Sequence, residues 1–290
     1  MGTIAFETIP PLIKDGPQAE HESIKRIKDL LIRSNLYGRV NSILIPHMIE
    51  EDGDRPLPFE PRSDTLNISS SWARELQSSS IVTQVTPFST VEDLKRRLES
   101  LRIQGVDRCV YVGVPRVWNQ QNVIGPYPDQ ALTIFNHIIP HGGCVLIPTR
   151  PDENKRFLSK VRKGADFGLT QLLYSDYITT FLSSLNLNAP KPEILLSFGY
   201  VPKIESRIGL IKWLIKDRSN LVKHEMDLVE RLANLPYKQK LATLLDLYKR
   251  VIDGITDLGF PIGIHFECPY GPSEPALEVF NDMLDYWSPP

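Results

Sequence analysis

Short apolar runs alternate along this chain with longer stretches of helical periodicity. TIAFETI at 3 to 9 is closed by Pro10 and Pro11, and beyond it Ile24, Ile27, Leu30 and Leu31 fall on one face of a helix. VNSILIP at 40 to 46 opens into a long polar loop, after which SSSWARELQ resumes a helical pattern. SIVTQVT at 80 to 86 is followed by Thr90 and Asp93 at capping-box spacing, ahead of a helix expected to bury Val91, Leu94, Leu98 and Leu101. RCVYVGV at 108 to 114 precedes a loop and a helix around ALTIFNHII, and CVLIPT from Cys144 precedes a basic helix through KRFLSKVRKG. The sixth run lies in GADFGLTQLLYSD at 164 to 176, the seventh is EILLSFGYV at 193 to 201, and the eighth is IGIHFE at 262 to 267. Between the last two lies an extended helical region, 205 to 258, whose second part repeats Leu241, Leu244, Leu245, Tyr248, Val251, Ile252 and Ile255.

Eight strand-like runs separated by helices predict an α/β fold, a single (β/α)8 TIM barrel over 1 to 290 with extra helices between strands 7 and 8. A doubly wound open sheet competes with it, but such a sheet more often begins with a glycine-rich first turn, and FETIPP is no such turn. No low-complexity tract or fixed-period repeat divides the chain.

Composition narrows the partners. Lys and Arg number 33 against 35 Asp and Glu, a net charge of −2, which offers no general attraction to nucleic acid or to an anionic membrane. The three cysteines, 109, 144 and 268, are odd in number and form no CxxC, so a reducing compartment is expected. The N-terminus has no signal-peptide pattern and no segment is apolar enough to span a bilayer, so a soluble, cytoplasmic protein is expected. The pattern does not resolve an oligomeric state.

In a (β/α)8 barrel the chemistry sits at the C-terminal ends of the strands. That rule selects Glu7, His47, Gln84, Arg116, Arg150, Gln171, Tyr174 and Glu267. Glu7 and Glu267 stand at opposite ends of the chain, but closure of the barrel makes strands 1 and 8 neighbours. A carboxyl buried at the mouth has its pKa raised and suits a general acid; the bland alternative is a structural glutamate paired with a base. Gln171 interrupts an apolar strand, as a satisfied core amide or as a ligand contact. EEDGD at 50 to 54 lacks the remaining positions of a calcium loop and reads as a solvated loop, or as a lid carrying Glu50 or Glu51. His47 and His265 have no companion at metal-ligand spacing, so no metal is expected. Arg116 and Arg150 are loop arginines, either surface ion-pair residues or contacts to a cofactor.

Four ordered pieces of the chain resemble the methylenetetrahydrofolate reductase family. FETIPP at 6 to 11 resembles its first strand, with the catalytic glutamate at Glu7, and KVRKGADFGLTQLLYSD at 160 to 176 resembles its sixth, whose glutamine contacts the pterin. GYVPKIES at 199 to 206 resembles the turn after strand 7, and GIHFE at 263 to 267 the end of strand 8. The resemblance implies reduction of a methylene group on folate, in one-carbon metabolism and methionine biosynthesis. It implies Glu7 as the catalytic group and Gln171 toward the folate; beside them Glu51 is expected as a second catalytic group, Tyr174, Gln84 and Glu267 toward the folate, and Arg116, Arg150 and His47 toward the cofactor.

The pieces that face a flavin in the family differ here. Gly113, Val114 and Pro115 stand where FAD-binding members carry Arg-Gly-Asp, and Arg150 stands before Pro151 and Asp152 where they carry a tyrosine before Pro-Glu. Gln84 replaces a histidine, and Ile45, Pro46 and His47 replace Val-Thr-Tyr. The expectation is therefore hydride transfer directly from NADH or NADPH to the folate without FAD, Leu172, Leu173 and Tyr174 turning outward into the loop beyond Gln171. An FAD-dependent version of the reaction and a non-catalytic folate-binding barrel are the alternatives.

Overall fold

Alternation along the strands sorts their side chains into two cores. The computed structural model describes residues 2–50, 58–114, 123–187, 190–201, 203–215, 220–269 and 271–287. Eight parallel strands, β1 (Ile4–Glu7), β2 (Ser42–Ile45), β3 (Ser79–Val85), β4 (Arg108–Val112), β5 (His141–Leu146), β6 (Phe167–Thr170), β7 (Glu193–Gly199) and β8 (Ile262–Glu267), pair in sequence order. β1 pairs with β8 and closes the barrel. Inside it lie Ala5, Leu44, Ile81, Val110, Phe167, Leu169 and Leu195. The alternate positions, among them Ile4, Phe6, Ile43 and Val82, point outward and pack under the helices.

The strands fall where the alternation puts them, and so do most helices. α1 (Gln18–Arg33) buries Ile24, Ile27 and Leu31. α2 (Thr65–Glu75) is capped by Asp64, whose carboxylate accepts the Leu66 N–H at 2.8 Å. α3 (Val91–Ile103) begins at the expected cap: Thr90 Oγ1 accepts the Asp93 N–H at 3.1 Å. It buries Leu94, Leu98 and Leu101, whereas Val91, in the first turn, faces solvent instead of the core. α4 (Pro128–Ile134) and α5 (Glu153–Arg162) follow β4 and β5, and α6 (Tyr177–Ser183), not foreseen from the pattern, follows β6.

The helical region between β7 and β8 divides into α7 (Ile204–Leu214), α8 (Val222–Asn234) and α9 (Tyr237–Ile255), with Pro236 ending one helix and starting the next. The α9 stripe buries Leu244, Leu247, Tyr248, Val251, Ile252 and Ile255, and Tyr248 meets Phe198 of β7 edge-on at 4.8 Å between ring centroids. A last helix, α10 (Glu274–Trp287), completes the eighth unit, its Phe280 stacked on Phe266 at 4.3 Å.

Polar groups close the N-terminal end of the barrel. Arg108 lies 4.4 Å over the Phe167 ring and donates to Glu193 Oε2 at 2.5 Å and to Thr3 Oγ1 at 2.7 Å. The Phe167 ring occupies the space that a side chain at position 143 would fill: a Cβ on Gly143 would stand 2.4 Å from it. Among the described residues no helix is long and apolar enough to cross a membrane.

Candidate active site

Two carboxyl groups meet at the C-terminal mouth. The β1–β8 register pairs Phe6 with Phe266, so the next step sets Glu7 beside Glu267, and β7–β8 pairing sets Gly199 beside Glu267. Glu7 lies two residues beyond the inward-facing Ala5, and Glu267 two beyond His265, so both side chains belong to the inner face. Glu7 Oε2 accepts the Cys268 N–H at 2.8 Å, which ties the end of β1 to the chain leaving β8. Gly199 permits this closeness: a Cβ there would come within 2.7 Å of Leu172 and 2.9 Å of the Glu267 carbonyl oxygen.

Burial raises the Glu7 pKa to about 7, against the opposing pull of the Cys268 N–H. Glu267 is pushed well above the usual carboxylate range, first by burial and then by Glu7 beside it. No basic side chain among the described residues offsets either shift. Two adjacent acids in such a place do not ionise together near neutrality, so the pair retains a proton.

Gln171 extends the inward face of β6 above Phe167 and Leu169, and its own N–H continues the ladder to the Leu146 carbonyl at 2.9 Å. It is half-buried at the mouth. Leu172, Leu173 and Tyr174 do not run out into a loop: all three are buried in the outer core, which is a more rewarding place for two leucines and a ring than solvent. Below the carboxyl pair, Ser197 Oγ donates to the Thr170 carbonyl at 2.7 Å and lies 2.9 Å from His265 Nδ1. A serine has one hydrogen to give, so Nδ1–H is the donor to Oγ and His265 is neutral, its pKa lowered to about 3 by burial.

On the β2–β3 rim stands a second polar group. His47 follows β2, and its backbone N–H donates to Thr83 Oγ1 at 2.8 Å. Its Nδ1 lies 3.2 Å from Gln84 Nε2 and 3.3 Å from the Val85 N–H. Gln84 is fully buried on the outward face of β3, under α3, and not among the groups facing the mouth. Its Oε1 accepts from Arg97 Nε at 2.5 Å, and Arg97 forks onto Asp64 at 2.8 and 2.6 Å. Burial, helped by Arg97, lowers the His47 pKa to about 4.

Arg150 stands after β5, 3.6 Å from the wholly buried Glu153 carboxylate, which Lys160 also approaches at 3.7 Å. Glu51 and Arg116 lie outside the described residues. Asp64, Arg97, Thr170 and Ser197 were not singled out by the sequence reading. Asp64 carried a signal, a capping residue ahead of an apolar helix, whereas Thr170 and Ser197 look like ordinary strand residues. Among the described residues no group of three or more His, Cys, Asp and Glu could hold a metal ion. A cleft of about 510 Å³ bordered by Tyr37, Asn41, Arg74 and Gln77 lies at the opposite end of the barrel, beside the N-terminal ends of β2 and β3, away from the carboxyl pair.

The chain is similar in structure to tryptophan synthase from Mycobacterium tuberculosis (TM-score 0.49, 10% identity, 98% of this chain and 92% of that one). It is similar also to dihydropteroate synthase from Xanthomonas albilineans (TM-score 0.48, 11% identity, 99% and 92%). Likenesses of this strength carry no argument. No curated protein matches the chain. The model of one family, described as mycobacterial methylenetetrahydrofolate reductase, matches residues 1–290, the whole of the sequence. That match over the whole length shows that the chain belongs to the mycobacterial methylenetetrahydrofolate reductase family.

Proposed function

We propose that the protein reduces 5,10-methylenetetrahydrofolate to 5-methyltetrahydrofolate with NADH or NADPH as the direct hydride donor and without flavin. The observation that carries this reading is the Glu7–Glu267 pair, which retains a proton near neutrality beside the inward-facing Gln171. The reaction needs that proton. Opening the five-membered ring breaks the bond from the methylene carbon to N10; N10 takes a proton from Glu7, and the N5 lone pair forms the N5-iminium cation. Hydride from the reduced nicotinamide then adds to the exocyclic carbon, giving the N5-methyl group and an oxidised nicotinamide. One proton and one hydride are consumed per turnover.

Once Glu7 has released its proton, its carboxylate faces the iminium cation beside the neutral Glu267 carboxyl, an arrangement that stabilises positive charge where it develops. The Gln171 carboxamide offers a donor and an acceptor side by side, which match the amide-like edge of a pterin. Orientation of the two substrates supplies the rest.

The residues present do not fit FAD as the family's flavin members hold it. Gln84 is occupied by Arg97 and Val85, and Arg150 stands beside Glu153. Glycine and valine at 113 and 114 supply no charged side chain. The test is an anaerobic assay of NADH and NADPH oxidation with methylenetetrahydrofolate, with and without added FAD. Turnover by the colourless protein supports the reading. A yellow protein, or activity only after FAD is added, overturns the flavin-free part, and folate binding without turnover overturns the reductase.

A further inference from the structure

The hydrogen bonds at the β2–β3 rim leave no freedom in how their atoms are assigned. Arg97 has no acceptor, so the Gln84 atom 2.5 Å from its Nε is the amide oxygen. The Val85 carbonyl has no donor, so the Gln84 atom 2.8 Å from it is the amide nitrogen. That nitrogen has a second hydrogen, directed at His47 Nδ1, and the Val85 N–H approaches the same ring atom. Both neighbours of Nδ1 only donate, so Nδ1 bears the lone pair and the proton is on Nε2.

This assignment is propagated from a distance. Asp64 grips both terminal nitrogens of Arg97, Thr65 Oγ1 accepts from one of them at 2.7 Å, and Arg97 in turn fixes the rotation of the Gln84 amide. Burial keeps the ring neutral, with Arg97 adding to it and Asp64 opposing, so the ring retains a single N–H across neutral pH. At its other pole Nε2 makes no hydrogen bond among the described residues, and the ring is only half-buried. A tether between two strands would need Nδ1 alone; a fixed donor left over at the rim points to a ligand oxygen.

We propose that Arg97, Asp64 and Gln84 are positioning residues that lock His47 as its Nε2–H tautomer, and that this N–H donates to the carboxamide oxygen of the nicotinamide ring. The proposal rests on the reading of the protein as an NAD(P)H-dependent reductase. His47 follows β2, the neighbour of the strand carrying Glu7, so its ring stands at the rim of the same end of the barrel as the carboxyl pair. A neutral carbonyl oxygen is the acceptor such a donor suits, since a phosphate would call for a cation.

Two measurements test it. Nitrogen-15 NMR of the labelled full-length protein should show His47 with protonated Nε2 and bare Nδ1 between pH 6 and 8, a window chosen about neutrality, and Arg97→Lys should mix the tautomers. Steady-state kinetics of His47→Phe should show a KM for NADH raised about five- to tenfold, the worth of one lost hydrogen bond, with the KM for methylenetetrahydrofolate unchanged. His47→Gln, whose amide N–H falls near the place of Nε2–H, should recover most of the loss, and His47→Asn should not. A proton on Nδ1 in the wild type, an unchanged KM for NADH in a folded His47→Phe protein, or equal rises in both KM values would each overturn the proposal. Absence of NADH or NADPH oxidation by the wild-type protein would instead overturn the reductase reading, and the NMR result would stand apart from it.

Discussion

The Glu7 carboxylate accepts the backbone N–H of Cys268 at 2.8 Å, so the first strand of the barrel holds the chain that leaves the last. In the proposed mechanism the same side chain closes the barrel seam and supplies the proton at its mouth. Glutamine keeps the first role and loses the second. Glu7→Gln is expected to lower kcat by a factor of about 10² to 10⁴ while folate binding, read by fluorescence titration, stays nearly constant. Turnover close to that of the wild type would remove Glu7 from the chemistry.

Glu7 acts on Glu267 through charge: burial and the Glu7 carboxylate together hold Glu267 well above the usual carboxylate range, so Glu267 is still neutral where Glu7 ionises near 7. Glu267→Gln then removes no negative charge from beside Glu7. In the proposed mechanism the active form carries a protonated Glu7, so the activity lost as pH rises is expected to be lost at the same pH in this variant. The pH profile of kcat/KM is the measurement, and an alkaline limb moved to lower pH would show that Glu267 is ionised beside Glu7.

Stability should move with pH in a definite direction. The Glu7 pKa is raised from 4.5 to about 7 on folding, so the folded state holds a proton that the unfolded chain has released in that window. Stability then falls as pH rises from 4.5 to 7, by an amount on the order of 3 kcal/mol for this group. Glu7→Gln should flatten that part of the curve and be more stable than the wild type at pH 8, about one unit above the Glu7 pKa. Urea unfolding at several pH values tests it. A wild-type curve without the decline would count against burial as the source of the shift.

The far end of the barrel should matter for folding and not for catalysis. Removing the Arg108 side chain leaves the largely buried Glu193 carboxylate unpaired and uncovers the Phe167 ring. Arg108→Ala is expected to cost about 3–5 kcal/mol in urea unfolding, with kcat per folded molecule unchanged. A loss of kcat without a loss of stability would contradict this division.

The strands were legible because each is a short apolar run bounded by turn residues, and Glu7, Glu267 and Gln171 were legible because each ends such a run on the inward parity. Parity also separates Gln84 from them: it alternates with Ile81 and Thr83 in the wrong phase for the mouth, a distinction that the place at a strand end conceals. Arg97 was not legible. Arg96 and Arg97 are adjacent in a helix rich in charge, yet Arg96 pairs with Asp93 on the surface while Arg97 turns inward to Asp64. Helical spacing puts Arg97 beside Leu94 and Leu101, at the border of the buried stripe, but only the fold reveals the carboxylate waiting there. The helix α10 went unforeseen because the alternation of strands and helices was followed only as far as the eighth strand.

Arg108, Phe167 and Glu193 fill the far end of the barrel, so in the proposed reaction both substrates come and go by the C-terminal mouth. On that reading the flat molecule nearer Gln171 is covered by the other, folate is first in and last out, and the release of methylated folate is tied to how quickly the oxidised nucleotide clears the way.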